Sequence, residues 1–157
     1  MIQRIQTVFL SIATVLLVLL VVFPGGLVLA SIEADVESYV LFAEKMILKG
    51  DSLETLAMPY GLIGAVMVGI FISIYSIMQY KNRKFQIKLV QLAILVQLVL
   101  GALIFFYADK MAEVAQRGEV AYSPAIGIVL VNVVLYFLAL RGIKKDDALV
   151  RSADRLR

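Results

Sequence analysis

Residues 80–89 read Tyr-Lys-Asn-Arg-Lys-Phe-Gln-Ile-Lys-Leu, and the runs on either side of them decide the class of fold. Upstream, Pro59 to Tyr80 contains no Asp, Glu, Lys or Arg; downstream, neither does Leu89 to Tyr107. Each run is long enough to cross a bilayer, which takes roughly 17–25 apolar residues in a helix. A link as short as 81–88 folds two such helices back on each other as an antiparallel hairpin. That link holds Lys81, Arg83, Lys84 and Lys88 and no acid.

Two more charge-free runs flank this hairpin, Ile5 to Phe23 and Pro124 to Leu140, and the segments between the four alternate in sign. Arg4, the 81–88 link and the tail (Arg141, Lys144, Lys145, Arg151, Arg155, Arg157) hold eleven of the fifteen basic residues, with only Asp146, Asp147 and Asp154 as acids. The other two links hold nine acids and four bases. Basic residues are retained on the cytoplasmic side of membranes. The expected fold is therefore an all-α membrane protein, a bundle of four transmembrane helices with both termini cytoplasmic. It forms one integral membrane domain over 1–157, with helices at about 5–23, 59–80, 89–107 and 124–140 and a tail at 141–157. The hydrophobic fraction of 62% exceeds the roughly 45–50% of soluble domains, so lipid has to solvate part of the surface. A cleaved signal peptide competes for the first run, with Val28-Leu29-Ala30 before Ser31 as its cleavage site. The apolar run is longer than the usual h-region, which favours a permanent span.

Residues 27–57 form an acidic outer segment. Ala30 to Glu37 alternate apolar and polar, a strand period, while Ile32, Val36, Val40, Ala43 and Ile47 fit a helical stripe. The expectation is an extended start and a helical or irregular finish, with turns at Gly50-Asp51 and, in the second outer loop, at Arg117-Gly118. Pro59 and Ser123-Pro124 read as helix starts. Tyr60, Tyr80, Tyr107 and Tyr122 stand at the ends of crossings, where an amphipathic ring suits the headgroup layer.

Lipid tails are as apolar as leucine, so small residues and polar pairs hold such helices together. The stripes expected to face inward are Gln3, Thr7, Ser11 and Thr14 on the first helix; Gly61, Ala65, Gly69 and Ser73 on the second; Ala93, Gln97 and Gly101 on the third; and Ala125, Asn132 and Ala139 on the fourth. Gly61, Ala65, Gly69, Ser73, Gln97, Gly101 and Asn132 are the candidates for helix packing or a partner interface. Packing inside the bundle is the plainer role for all of them. Gln97 and Asn132 would otherwise line a polar path.

The chemistry of common membrane enzymes and pumps is missing. There is no Cys, His or Trp, and no Asp, Glu, Lys or Arg lies within a crossing. Transporters and proton pumps usually carry such a group at membrane depth. Ser11, Ser73 and Ser76 have no base at their level, and a lone helical hydroxyl more often bonds the carbonyl four residues back. The expectation is no enzyme, no cofactor and no metal. Glu33, Asp35 and Glu37 alternate and would share a strand face able to attract Ca²⁺, although a solvated acidic face is the plainer reading. In the tail, Leu149, Ala153 and Leu156 draw a narrow apolar line beside Arg151 and Arg155, which suggests a short amphipathic helix at the membrane. Arg83, Lys84, Lys88, Lys144, Lys145, Arg151 and Arg155 are the candidates for cytoplasmic contact with anionic lipid or a protein partner. Positive charge confined to one membrane face points away from nucleic acid.

Three stretches together resemble a known family: Met-Ile-Gln-Arg-Ile-Gln-Thr at 1–7, the 80–89 link, and 139–157 from Ala-Leu-Arg-Gly-Ile-Lys-Lys-Asp-Asp to the final Arg-Leu-Arg. The chain is similar over its full length to a bacterial inner-membrane family described as a domain of unknown function, number forty-two ninety-three. The resemblance implies four crossings and an inner-membrane location, and no reaction or ligand. Family members carry Phe-Pro and then a bulky residue after the first helix, whereas here Gly25-Gly26 follows Phe23-Pro24. The expected function is a non-catalytic accessory, assembly or scaffold subunit of an inner-membrane complex. The alternatives are a small-solute transporter or channel, and an extracytoplasmic sensor or binding module.

Overall fold

The computed structural model describes residues 5–22, 28–33, 38–43, 46–49, 53–57, 59–115 and 119–155. In chain order these form α1 (Ile5–Val22), β1 (Ala30–Glu33), β2 (Ser38–Leu41), β3 (Met46–Lys49), β4 (Leu53–Ala57), α2 (Tyr60–Met78), α3 (Arg83–Ala115), β5 (Val120–Tyr122), a 3-10 turn (Pro124–Ile126) and α4 (Gly127–Arg155). Among the described residues, four helices are long and apolar enough to cross a membrane, as expected. They pack as a ring: α1 lies against α2 and α4, and α3 lies against α2 and α4. The starts of α1 and α3 and the far half of α4 meet at one end, here the turn end. The strands cover the other, the sheet end.

The link between α2 and α3 is tighter than expected. Gln79 N–H bonds the Tyr75 carbonyl at 3.1 Å and Asn82 N–H bonds the Gln79 carbonyl at 3.0 Å, so the chain reverses within four residues. Asn82 then caps α3, its Oδ1 accepting from Phe85 N–H at 3.3 Å. Helix α3 thus begins at Arg83 rather than near Leu89, and it runs past Tyr107 to Ala115. Helix α4 likewise does not stop at Leu140; the tail continues it to Arg155 instead of forming a separate surface helix. Charge marks the level at which a helix leaves the bilayer, and these two helices outlast that level.

The outer segment departs furthest from expectation. Its start is extended, as the alternation indicates, but its finish is neither helical nor irregular. Strands β1 to β4 form an antiparallel meander, and β5 from the α3–α4 loop pairs with β1, giving the order β4-β3-β2-β1-β5. Ala30 pairs with Leu41 on one side and with Tyr122 on the other. A bulge interrupts the β3–β4 register between Met46 and Ile47. The sheet seats its β1–β2 half on α3: Leu29, Ala30, Ile32 and Leu41 share a buried cluster with Ile104, Ala108 and Met111. Strand pairing to β5, almost ninety residues away in sequence, selects the extended form over a local helix. Ser123 joins sheet to bundle, its N–H bonding the Leu29 carbonyl at 3.0 Å and its Oγ capping the next turn through Ala125 N–H at 3.4 Å. Pro59 stands one residue before α2 as its N-cap, its carbonyl accepting from Leu62 at 2.8 Å and Ile63 at 3.2 Å.

Candidate functional site

Buried polarity gathers in one half of the bundle. Gln6, Ser73, Ser76, Gln86, Gln97 and Asn132 are the buried polar side chains among the described residues, and all lie between the midspan and the turn end. Gly101 touches Val129 (a Cβ on Gly101 would lie 3.8 Å from its Cγ1). One helical turn further from the sheet brings Gln97 and Asn132 to a common level. Next to them, Ser73 Oγ and Tyr136 Oη share a hydrogen bond of 2.5 Å, and Ser73 Oγ also donates to the Gly69 carbonyl at 2.8 Å. Gln97 lies beside the Tyr136 hydroxyl without meeting hydrogen-bond geometry. Both amide atoms of Gln97 and both of Asn132 lack a partner among the described residues.

The small-residue ladder on α2 serves this node. A Cβ on Gly69 would stand 3.1 Å from Leu17 Cδ1 and 3.4 Å from Gln97 Nε2, so the glycine makes room for α1 and for the amide together. Gly61 opens toward Tyr107, whose hydroxyl accepts from Gly61 N–H at 3.3 Å. Ala65 packs against the sheet-end cluster. The expected stripes on α2, α3 and α4 therefore do turn toward neighbouring helices. The stripe on α1 does not: Ser11 is exposed, and the buried face is Gln6, Leu10, Ala13, Leu17 and Leu20. Thr14 Oγ1 bonds the Leu10 carbonyl at 2.8 Å, which shows why hydroxyls misdirect here. A helical hydroxyl satisfied by its own backbone has no need of a partner helix.

The turn end carries the second polar group. Gln6 Nε2 donates to Asp146 Oδ2 at 2.5 Å, and Arg83 Nη1 donates to the Asp146 carbonyl at 2.8 Å. Gln6 also lies over Gly142, where a Cβ would come within 2.8 Å of its Cγ. Gln86 Nε2 donates to the Ser76 carbonyl at 3.1 Å and so satisfies an acceptor in the last turn of α2. Three segments distant in sequence are thus tied at one point, and they are the three stretches 1–7, 80–89 and 139–157. Beside this knot an open groove of about 620 Å³ is lined by Lys81, Asn82, Arg83, Lys84, Asp147 and Val150. Lys88, Lys144 and Lys145 are exposed on the same end. Arg151 and Arg155 ride on the last turns of α4.

Gln6, Asp146 and Tyr136 were not expected to matter. For Gln6 the signal was available: it occupies the first position of the regular α1 stripe that Leu10, Ala13, Leu17 and Leu20 continue. Asp146 has no such signal, because its role comes from two other helices. Among the described residues no group of three or more His, Cys, Asp or Glu is placed to hold a metal. Gln3, Arg4, Phe23-Pro24-Gly25-Gly26, Asp35, Val36, Glu37, Gly50-Asp51, Arg117-Gly118, Leu156 and Arg157 lie outside the described residues.

Comparison with curated proteins returned no match. The family model described as Domain of unknown function (DUF4293) matches residues 2–156, a span that takes in the sheet and nearly all of the three stretches knotted at the turn end, and the chain belongs to that family.

Proposed function

We propose that the protein is a non-catalytic accessory, assembly or scaffold subunit of a bacterial inner-membrane complex, with both termini in the cytoplasm and the turn end as the face that meets its partner. The observation that carries this reading is the continuation of α4. The helix is unbroken from Gly127 to Arg155, so its last turns project along the bundle axis instead of lying on a lipid surface. There Leu149 is 58% and Val150 44% exposed, on the same helix as the exposed Lys144 and Lys145. Adjacent apolar side chains exposed beyond the end of a bundle and rimmed by charge support an interaction site there. The sorting of Lys and Arg to this end supports its cytoplasmic placement.

A solute path past Gln97 and Asn132 is the second reading, favoured by their four unpartnered amide atoms. Against it, both side chains are fully buried, as are Leu17 and Tyr136 beside Gln97.

Site-specific photo-crosslinking in cells tests the proposal. A benzophenone side chain at Leu149 is expected to capture one protein partner, while the same group at lipid-facing Leu95 or at Glu119 by the sheet captures none. Adducts at Glu119 and none at Leu149 would move the partner face to the sheet and refute the reading.

A further inference from the structure

We infer that the groove at the turn end binds the phosphate of an anionic phospholipid headgroup. Of its six lining residues, Lys81, Arg83 and Lys84 are cationic and Asp147 is the one carboxylate, so the groove is net positive. Arg83 is held in place by the Asp146 carbonyl, a neutral acceptor that orients the guanidinium without cancelling its charge. The amino-terminal end of the 33-residue α3 opens at the same place, with Asn82 as its cap, and the helix dipole adds positive potential there.

A free anion would need only these groups. The surface leading away from the groove indicates a lipid. Phe85, next to Lys84, stands edge-on to Tyr75 at 6.1 Å, and Tyr75 stacks on Phe71 at 6.0 Å. All three rings are exposed on the outside of the bundle, as is Met78. They draw an aromatic track from the cationic groove down the membrane-facing side of α2, the path an acyl chain takes when its headgroup is fixed above. Val150 closes the far side of the groove with a further apolar surface. The site requires only that this end lie at a headgroup layer, so it stands whichever protein the end of α4 meets.

The test uses the purified full-length chain in neutral detergent, offered phosphatidylglycerol and phosphatidylcholine of matched chain length, with retained lipid read by native mass spectrometry. Phosphatidylglycerol is expected to be preferred. Each basic residue near a membrane surface contributes about 1 kcal/mol, or about fivefold. K81Q/K84Q should therefore lose about 25-fold of the preference. R141Q/K110Q removes as much charge outside the groove and should change the preference less than about twofold. Phe85→Ala should weaken retention of the lipid while leaving the binding of inorganic phosphate unchanged. Lys81 and Lys84 are exposed, so the double variant should keep its thermal midpoint; if it does not, Lys84→Gln alone should show about a fivefold loss. Equal retention of the two lipids, or an equal loss in R141Q/K110Q, overturns the site. Binding of inorganic phosphate as tight as that of phosphatidylglycerol, indifferent to Phe85→Ala, overturns the lipid in favour of a free anion.

Discussion

Helices α3 and α4 outlast the bilayer core at opposite ends of the bundle, and among the described residues only the excess of α3 is roofed. At 1.5 Å per residue α3 is about 50 Å long and α4 about 43 Å, against a hydrocarbon core of about 30 Å. The excess of α3 is roofed by the sheet, which buries Ala108 and Met111 completely. The excess of α4 is clasped at its base, where Ile143 is buried and Gln6 and Arg83 hold Asp146. Beyond that clasp Leu149 and Val150 are exposed. Among the described residues the two helices thus differ in what covers them: the end of α3 lies under the sheet, and the end of α4 leaves Leu149 and Val150 exposed. The polar side chains follow the same division, gathered in the half of the bundle that faces the open overshoot.

That asymmetry can be broken by substitution. Met111→Asp places an unpaired charge beneath the sheet and should cost about 4 kcal/mol or more, leaving little folded protein in a thermal-melt assay in detergent. Gly69→Leu forces a side chain against Leu17 and Gln97 and should destabilise by about 1–3 kcal/mol, whereas Gly64→Leu, with nothing within 4 Å of its added Cβ, should leave the melting midpoint nearly unchanged. Tyr136→Phe should cost about 0.6–2 kcal/mol, the range for an interhelical hydrogen bond in a membrane protein. A double-mutant cycle with Ser73→Ala should return a coupling of that size, and purely additive losses would dissolve the polar node. Leu149→Asp should shift stability by no more than about 0.5 kcal/mol, in contrast to Met111→Asp, while abolishing co-purification of the partner captured by the crosslink.

The crossings were legible because lipid excludes charge and each of the four uncharged runs is long enough to span it. Their ends were less legible. Lys84 and Lys88 read as a link, yet Gln86 and Val90 keep the helical burial period through them, and the two lysines simply occupy the exposed side of α3. Periodicity identified β1 but could not choose strand or helix for Val40, Ala43 and Ile47. Leu41, Phe42 and Ala43 are consecutively buried where the chain turns beside α3, which erases the alternation. The Gly61–Ser73 ladder was legible because close approach demands small residues at one spacing. The Gln6–Asp146–Arg83 knot was not, because no local pattern encodes a meeting of three helices.

On the proposed topology the turn end and the sheet end face opposite compartments, with the turn end inside. The chain has no cysteine, so single substitutions report cleanly. Lys84→Cys and Glu119→Cys, both at exposed positions, can be treated in intact cells with a membrane-impermeant maleimide that has reached the periplasm. Labelling of Glu119→Cys before lysis, and of Lys84→Cys only after it, is the predicted result. Labelling of both before lysis, or of Lys84→Cys alone, contradicts it.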